Sequence, residues 1–309
     1  AEGIRCCDGG AGAFSKNQVY GNEGPGVSCE GGDTQAALFT LNSVYDGKQA
    51  GFKVSERAGC HFHGNESYAN AGPGFEVMDV ATAPKLKNNK LMNGLSEGIH
   101  IHNFAGGRFE DNEIFGNAKD GILVCDVSVP ELLRNTIKEG KSTGAHFTCG
   151  AKGTFEGNDV WGNVGPGVSL DGKGTDPLLK ANRIHAGLAA GILATDSAGG
   201  CIEANEVFGN KGPGIGCSTA ACPSICGRNQ IFDGLEAGVY VFNAGKPSVT
   251  ENDIFGNTGA GVEISTKGNP KVSKNIIRDG VSSGVWSRDD GLGRVFANTI
   301  KGNVSAGCM

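Results

Sequence analysis

The feature that most constrains the fold is a short motif that returns along the whole sequence. An Asn recurs every 23 residues, with steps of 24 or 25 at four places, and a Gly stands nine residues after each Asn. The thirteen Asn residues are Asn17, Asn42, Asn65, Asn89, Asn112, Asn135, Asn158, Asn182, Asn205, Asn229, Asn252, Asn275 and Asn298. Self-similarity at a fixed period of this size is the signature of a repeat array.

Each repeat reads as short strands joined by turns. Clusters of β-branched and aromatic residues are separated by Gly, Asn, Asp and Pro, and an aliphatic residue stands two positions after every repeat Asn except at Ser67. The residues after the repeat Gly alternate with the two-residue period of a strand. A leucine-rich repeat has a similar length, but its Leu-x-x-Leu-x-Leu spacing is absent. We therefore predict an all-β fold, a right-handed parallel β-helix (solenoid) of about 13 coils with about 23 residues per coil.

The two invariant positions of the repeat have a physical interpretation. The Asn is expected to form an internal ladder in which each side-chain amide bonds the next one, and the Gly to occupy a corner that needs positive φ or a close backbone approach. A second period doubles the first. Alternate coils carry another Asn five residues after the repeat Asn, such as Asn22 and Asn117. The coils between them carry Gly at the same position, such as Gly47 and Gly140. The repeating unit is thus predicted to be a pair of coils.

Composition and charge exclude several classes of function. The net charge of −6, with both signs mixed along the chain, lacks the basic stripe of a nucleic-acid-binding protein. No apolar run approaches the roughly 18 residues of a membrane-spanning helix, so we predict no membrane partner. One domain is expected over residues 1–309. Both Gly3 and Gly307 lie inside coils, which leads us to expect a fragment of a longer chain.

The cysteines favour a reducing compartment. Their number, eleven, is odd, and four of them are predicted to stand on core columns that Val or Ile fills in other coils: Cys29, Cys217, Cys226 and Cys308. A free Cys packs there as a small hydrophobic residue. We therefore expect reduced thiols and a cytoplasmic or nuclear location.

The repeats resemble a known family. Runs such as Pro247–Ser265 and Asn269–Gly280 are similar to the β-helix repeats of F-box-only ubiquitin-ligase receptors, within the wider class of carbohydrate-binding proteins and sugar hydrolases. This resemblance implies a β-helix that recognises protein substrates while an F-box recruits the ligase. The sequence contains no F-box. The same coil also occurs in polysaccharide lyases, epimerases and periplasmic proteins of the copper-processing type, so the resemblance concerns fold more than function.

One candidate site lies on the outward positions of the strand after the repeat Gly. Because neighbours in a column lie about 5 Å apart, Glu76, His100, His102, Cys125 and His146 are predicted to form a patch on adjacent coils. A metal site needs ligands that converge, and flat sheet faces spread side chains apart, so we predict no metal and no cofactor. A Cys125 nucleophile assisted by His102 or His146 lacks an evident third orienting group. A solvated polar face is the favoured interpretation.

A second candidate site has the composition of a recognition surface. Tyr240, Phe242, Trp286 and Arg288 occupy the same outward columns, and exposed aromatic residues beside Arg are typical of interaction hot spots and of sugar-stacking platforms. Simple cross-strand packing is the alternative. The candidate binding face thus comprises Tyr240, Phe242, Trp286, Arg288, His100, His102 and His146.

The acidic residues argue against an enzyme. Glu56, Asp79, Asp126, Asp196 and Asp289 recur 14 residues after the repeat Asn, scattered along the chain as turn chemistry predicts, whereas a polysaccharide hydrolase or lyase clusters its carboxylates. Our hypothesis is therefore a non-catalytic recognition β-helix that binds protein partners. The alternatives are a carbohydrate-binding or carbohydrate-cleaving β-helix with a polysaccharide partner, and a structural spacer in an assembly.

Overall fold

The computed structural model describes residues 1–32 and 34–305 of the chain. These residues form 39 short strands, three in each of thirteen coils, and every strand pairing within the two units below is parallel. Contacts divide the chain into two compact units, Ala1–Asp159 and Val160–Met309. The described residues include no helix long and apolar enough to cross a membrane. The predicted parallel β-helix and its coil length are confirmed.

In the unit Ala1–Asp159, the strands fall into three parallel sheets. Sheet A, which follows the repeat Gly, holds β1 (Ile4–Cys6), β4 (Val27–Glu30), β7 (Phe52–Ser55), β10 (Phe75–Met78), β13 (Ile99–His102), β16 (Ile122–Val124) and β19 (Ala145–Phe147). Sheet B holds β2 (Ala13–Ser15), β5 (Leu38–Thr40), β8 (His61–His63), β11 (Lys85–Lys87), β14 (Arg108–Glu110), β17 (Glu131–Leu133) and β20 (Thr154–Glu156). Sheet C holds β3 (Gln18–Tyr20), β6 (Ser43–Tyr45), β9 (Glu66–Tyr68), β12 (Lys90–Met92), β15 (Glu113–Phe115) and β18 (Thr136–Lys138), and β21 (Asp159–Trp161) includes the unit boundary.

The unit Val160–Met309 has the same three strands in each coil. Its sheet-A strands are β22 (Val168–Asp171), β25 (Ile192–Thr195), β28 (Ile215–Cys217), β31 (Val239–Val241), β34 (Val262–Ile264) and β37 (Val285–Ser287). Its sheet-B strands are β23 (Leu178–Lys180), β26 (Cys201–Glu203), β29 (Ser224–Cys226), β32 (Ser248–Thr250), β35 (Lys271–Ser273) and β38 (Arg294–Phe296). Its sheet-C strands are β24 (Arg183–His185), β27 (Glu206–Phe208), β30 (Gln230–Phe232), β33 (Asp253–Phe255), β36 (Ile276–Arg278) and β39 (Thr299–Lys301).

The core of each unit is a stack of like residues, because each coil places its inward side chain over the one below. In the first unit Phe39 packs on Phe62, and Phe52 on Phe75, with ring centroids 5.1 and 4.3 Å apart. All four rings are almost completely buried. Burying one such side chain stabilises the fold by roughly 1.5–3 kcal/mol, and the period repeats that gain in every coil.

The predicted Asn ladder is confirmed. Asn112 Nδ2 donates to Asn135 Oδ1 at 2.9 Å and to the carbonyl of Leu86 at 3.1 Å, and its Oδ1 accepts from Nδ2 and the backbone N–H of Asn89. Asn112 is 1% exposed. The amide thus satisfies a corner that no water reaches, as a buried polar group requires.

The repeat Gly is required by close approach and not by positive φ. A Cβ on Gly98 would lie 2.4 Å from Ile114 Cγ2 and 2.6 Å from the carbonyl oxygen of Gly121. The positive φ falls elsewhere, on the residue before each repeat Asn, where even Leu41 and Arg134 adopt φ of 55° and 51°. Of the two explanations given for the Gly, only close approach holds here.

The alternation of coils also has a physical cause. The second Asn of one coil, such as Asn117, accepts a hydrogen bond from the backbone N–H of Gly94 in the preceding coil at 2.9 Å and donates to the carbonyl of Leu91 at 3.0 Å. A Cβ on Gly94 would approach Asn117 Oδ1 to 3.2 Å. One coil supplies the amide and its neighbour the small residue, which explains why the repeating unit is a pair.

The prediction that certain cysteines occupy core positions is right for two of them and wrong for one. Cys29 and Cys217 are fully buried, but Cys226 faces outward on β29, because Ile225 takes the core position. Cys308 lies outside the described residues. All ten cysteines that the structure describes are free thiols.

Candidate functional site

The outward columns of sheet A have the predicted register. In the first unit Glu76 pairs with His100 and His100 with Leu123, while His102 pairs with Met78. In the second unit Tyr240 pairs with Glu263, and Glu263 with Trp286.

The first unit brings Glu76, His100 and His102 together. Their ligand atoms all lie within 4.8 Å of one another, and His102 Nε2 is 3.5 Å from Glu76 Oε1. The two imidazole rings stack with centroids 4.3 Å apart. The expectation that a sheet face keeps these groups apart is wrong, because the side chains lean towards one another above the strands.

Burial and contact set the protonation of this cluster. The contact with His102 holds the pKa of the Glu76 carboxyl below its usual range, and Lys53 on the neighbouring strand acts in the same direction. Burial lowers the pKa of His100, and so does the adjacent His102. The Glu76 carboxyl is therefore charged and the His100 imidazole neutral at neutral pH.

Cys125 lies beside this cluster without the properties of a nucleophile. Its Sγ is 3.5 Å from His100 Nε2, so the His neighbour is His100 and neither of the predicted partners, His102 or His146. Burial, with a smaller contribution from Asp126, raises the pKa of the Cys125 thiol to about 12. Because the thiolate is the reactive form, the thiol is inert at neutral pH.

His146 stands apart from the other histidines and has its own acidic partner. Its Nδ1 lies 3.1 Å from Asp120 Oδ2, while Asp120 Oδ1 accepts hydrogen bonds from the Ser142 hydroxyl at 2.6 Å and from the backbone N–H of Thr143 at 3.1 Å. These contacts lower the pKa of Asp120 although its burial opposes the effect. A carboxylate fixed in this way orients an imidazole, which is the arrangement of a general base.

In the second unit, Tyr240, Phe242, Trp286 and Arg288 form an aromatic patch. The rings of Tyr240 and Phe242 stack at 4.6 Å, and the Arg288 guanidinium lies 5.1 Å from the Trp286 ring centroid. The Tyr240 hydroxyl is 3.0 Å from Ser265 Oγ. The structure thus brings these four predicted residues onto one face.

Beside this patch is a shallow depression of about 430 Å³. Its lining includes Tyr240, Glu263, Arg288 and Glu236. Arg288 Nε and Nη2 lie 2.9 and 2.8 Å from Glu263 Oε1, and Nη1 also contacts Asp289. The contact with Glu263 raises the pKa of Arg288, so the guanidinium stays charged. The depression therefore combines one aromatic side chain, Tyr240, with a charge pair in fixed orientation.

The acidic series occupies turns, as predicted. Glu56, Asp79, Asp126, Asp196 and Asp289 all have positive φ, between 47° and 78°. Asp79 Oδ1 accepts a hydrogen bond from Asn103 Nδ2 at 2.7 Å. These carboxylates stabilise corners, as Asp and Asn commonly do in the left-handed region.

The predictions omitted Asp120 and a third outward column. Asp120 stands directly before a repeat Gly, a position at which the other coils carry unrelated residues. The repeat pattern therefore gives no sign that Asp120 has a functional role. The column lies three residues after the repeat Asn and carries Tyr20, Tyr45, Tyr68, Met92, Phe115, Lys138, Trp161, His185, Phe208, Phe232, Phe255, Arg278 and Lys301. Its period was visible in the sequence.

Three neighbouring rings of this column stack on one another, and an arginine covers the last of them. Phe208, Phe232 and Phe255 stack at 5.0 and 4.8 Å with interplanar angles of 9° and 1°, and the Arg278 guanidinium covers the last ring at 4.2 Å. Ring faces are therefore occupied, which is stabilising cross-strand packing.

Comparisons with known proteins agree with the fold. The family described as the right-handed beta helix region matches residues 1–128, 33–184, 79–227 and 167–309, which together span the chain. The A-module of mannuronan C-5 epimerase AlgE6 from Azotobacter vinelandii is similar in structure, with a TM-score of 0.64 at 13% identity over 96% of this chain and 91% of that one. A search of curated proteins found no match.

Two further solved structures have the same architecture. The periplasmic alginate epimerase AlgG has a TM-score of 0.58 at 12% identity, over 88% of this chain and 76% of that one. The A-module of mannuronan C-5 epimerase AlgE4 from Azotobacter vinelandii has a TM-score of 0.50 at 14% identity, over 97% and 89%. At these identities the likeness concerns the fold alone.

These comparisons match the β-helix part of the resemblance found in the sequence, including its handedness, and give no support to the F-box part. The family match covers the chain from end to end, and the described residues form the strands of a β-helix. The chain belongs to the right-handed β-helix family.

Proposed function

We propose that this protein is a carbohydrate-binding β-helix that holds a polysaccharide at the aromatic patch of its second unit. One observation carries the proposal: the depression lined by Tyr240, Glu263 and Arg288 adjoins the aromatic patch on an outward sheet face. Ligand sites are concave, with apolar and aromatic walls and a few fixed polar groups. This concavity has both components.

The chemistry of the depression suits a sugar. A pyranose ring presents apolar C–H faces and a rim of hydroxyls, which aromatic rings and fixed donors or acceptors complement. Glu263 offers carboxylate acceptors and Arg288 offers N–H donors, and their mutual contact at 2.8 Å holds both in place. The aromatic patch supplies the apolar surface.

The local charge favours a neutral polymer. Two carboxylates, Glu236 and Glu263, stand against one guanidinium, Arg288, so the charged lining residues sum to −1. A polyanionic chain would meet a net repulsion, because the only lining cation is already paired with Glu263. We therefore infer that neutral glycans bind better than acidic ones.

The structural neighbours support a polysaccharide partner as a class. AlgE6 and AlgG are epimerases of mannuronan and alginate, and their coils superpose on this fold. The hypothesis of protein recognition by an F-box-type receptor has no comparable support. It is the competing hypothesis, and it predicts no glycan binding in the test below.

The test is affinity measurement on a panel of neutral and acidic polysaccharides, using Tyr240→Ala and Trp286→Ala as patch variants. Tyr20→Ala is the matched control, because Tyr20 is a 60% exposed aromatic residue in the first unit. We expect saturable binding to a neutral glycan that weakens at least tenfold in each patch variant and is unchanged in the control. The absence of glycan binding, or equal weakening in all three, contradicts the proposal.

A carbohydrate-cleaving or epimerising enzyme is the second candidate, favoured by the oriented pair of Asp120 and His146. His146 would act as the base that removes a proton from a sugar carbon. Incubation with the same glycans should then release unsaturated or reducing ends, or change the uronate composition. Loss of that activity in His146→Ala but not in His61→Ala would support this candidate, and inert polymer would refute it.

A further inference from the structure

We propose that Glu76, His100 and His102 form a binding site for one divalent transition-metal ion of the zinc class. The three side chains come from two neighbouring strands of sheet A, β10 and β13, and offer two imidazole nitrogens and a carboxylate oxygen. Two His and one carboxylate are a common ligand set for zinc and related metals. This proposal is independent of glycan binding in the second unit.

The distances fit tetrahedral coordination. Ligands at the usual 2.0–2.2 Å from a zinc ion lie roughly 3.4 Å from one another along each tetrahedral edge. His102 Nε2 and Glu76 Oε1 already lie 3.5 Å apart, and all three ligand atoms lie within 4.8 Å. The remaining separations exceed the tetrahedral edge by at most about 1.4 Å.

His102 presents a ring nitrogen that makes only a long contact. Its Nε2 is buried and lies 3.5 Å from Glu76 Oε1, which does not amount to a hydrogen bond, and it makes no hydrogen bond to any other described residue. The His102 side chain as a whole is 18% exposed. Buried polar atoms are normally satisfied, so an orphaned one in a native fold calls for an explanation. A metal ion between His102, His100 and Glu76 supplies the missing partner.

The cluster is accessible from solvent. The side chain of Glu76 is 25% exposed, so an ion reaches the site from solvent. Lys53 pairs with Glu76 from the neighbouring coil and is the cation nearest in register. Cys125 Sγ lies 3.5 Å from His100 Nε2, on the side of the next coil, and is not one of the three convergent ligands.

The same unit contains a natural control. His61 and His63 form a second His-x-His pair on β8, with both side chains exposed. Each of these two histidines has a lysine, Lys85 or Lys87, as its register neighbour, and no third ligand joins them among the described residues. At the proposed site the one lysine in register, Lys53, pairs with Glu76 and not with a histidine. A metal that binds any surface His pair would use both pairs, whereas the proposed site needs only His100 and His102.

The experiment is titration of the untagged, metal-stripped protein with Zn²⁺ by calorimetry and with Co²⁺ by visible absorption. Variants are H100A/H102A, H61A/H63A, Glu76→Gln and Cys125→Ser, each checked by circular dichroism. We expect one tight site per chain with tetrahedral Co²⁺ bands. That site should survive in H61A/H63A, weaken about tenfold in Glu76→Gln and disappear in H100A/H102A.

Three results would overturn the proposal. Equal loss of affinity in H61A/H63A and H100A/H102A indicates adventitious surface binding. Loss of binding in Cys125→Ser with retention in H100A/H102A indicates a thiol site instead. Calcium binding with the affinity of zinc contradicts an imidazole-based site, because Ca²⁺ prefers oxygen ligands.

Discussion

Replacing Asn112 by Ala tests the stabilising role of the ladder. The Asn112 side chain takes part in four hydrogen bonds: it donates to Leu86 and Asn135, and accepts from the backbone and side-chain nitrogens of Asn89. Ala removes all four and leaves the Asn89 N–H without its acceptor. Because Asn112 is 1% exposed, water does not replace the lost amide.

The expected loss of unfolding free energy is about 4 kcal/mol. A buried neutral hydrogen bond contributes about 1 kcal/mol net, and four are removed. The matched control is Asn93→Ala, because Asn93 is exposed at φ 52°. Ala69 and Ala186 occupy the equivalent corner in other coils, with φ of 53° and 51°, so the control should cost less than about 1 kcal/mol.

Urea unfolding gives the free energy, and amide hydrogen exchange gives the location. Exchange at the Asn89 N–H should accelerate in Asn112→Ala, while the Asn135 N–H, which donates to Asn158 Oδ1 at 2.8 Å, should stay protected. An unchanged urea midpoint together with an unchanged Asn89 exchange rate would refute the ladder as a source of stability.

Two other substitutions test packing and charge. Gly98→Ala should lower the free energy of unfolding by about 3 kcal/mol in a thermal or urea measurement, because the added Cβ would lie 2.4 Å from Ile114 Cγ2. Gly21→Ala is the control: its Cβ would meet nothing within 4 Å, and its φ of +66° should cost only about 1 kcal/mol. Equal costs would contradict the close-approach argument. Contact with Arg108 lowers the pKa of Glu110 in the folded protein to about 2, from about 4.3 in the unfolded chain. Glu110 therefore stabilises the fold above a pH of about 4.3, and this stabilisation is lost as the pH falls towards 2. Glu110→Gln should therefore lower the unfolding free energy by roughly 1 kcal/mol at pH 7 and by almost nothing at pH 2, and a pH-independent difference would exclude this ion pair as the cause.

The fold was predictable because periodicity acts on every coil at once. A residue type that recurs every 23 positions occupies one column, and a column such as Val44, Leu91 and Ile114 has a single place in a coil, the core. The ladder follows in the same way, since an invariant buried Asn needs a partner that the next coil supplies. Cys226 was misplaced because it was assigned to the wrong column, one position from Ile225.

The candidate sites were predictable only to the level of columns. The sequence places His100 and His102 on one face, but their contact with Glu76 depends on side-chain torsions, which no period specifies. The partner of His146, Asp120, lies in a turn whose residues differ from coil to coil. Single, non-repeating contacts of this kind carry the chemistry, and a repeat pattern contains no information about them.

The most direct test of the proposed function uses Trp286 as a reporter inside the aromatic patch. The chain has two tryptophans, Trp161 and Trp286, so Trp161→Phe leaves the patch residue as the sole source of tryptophan emission. Titration with a neutral oligosaccharide should give a saturable change in Trp286 emission that Tyr240→Ala weakens at least tenfold. Emission that stays constant while the same glycan binds by calorimetry would contradict recognition at this patch.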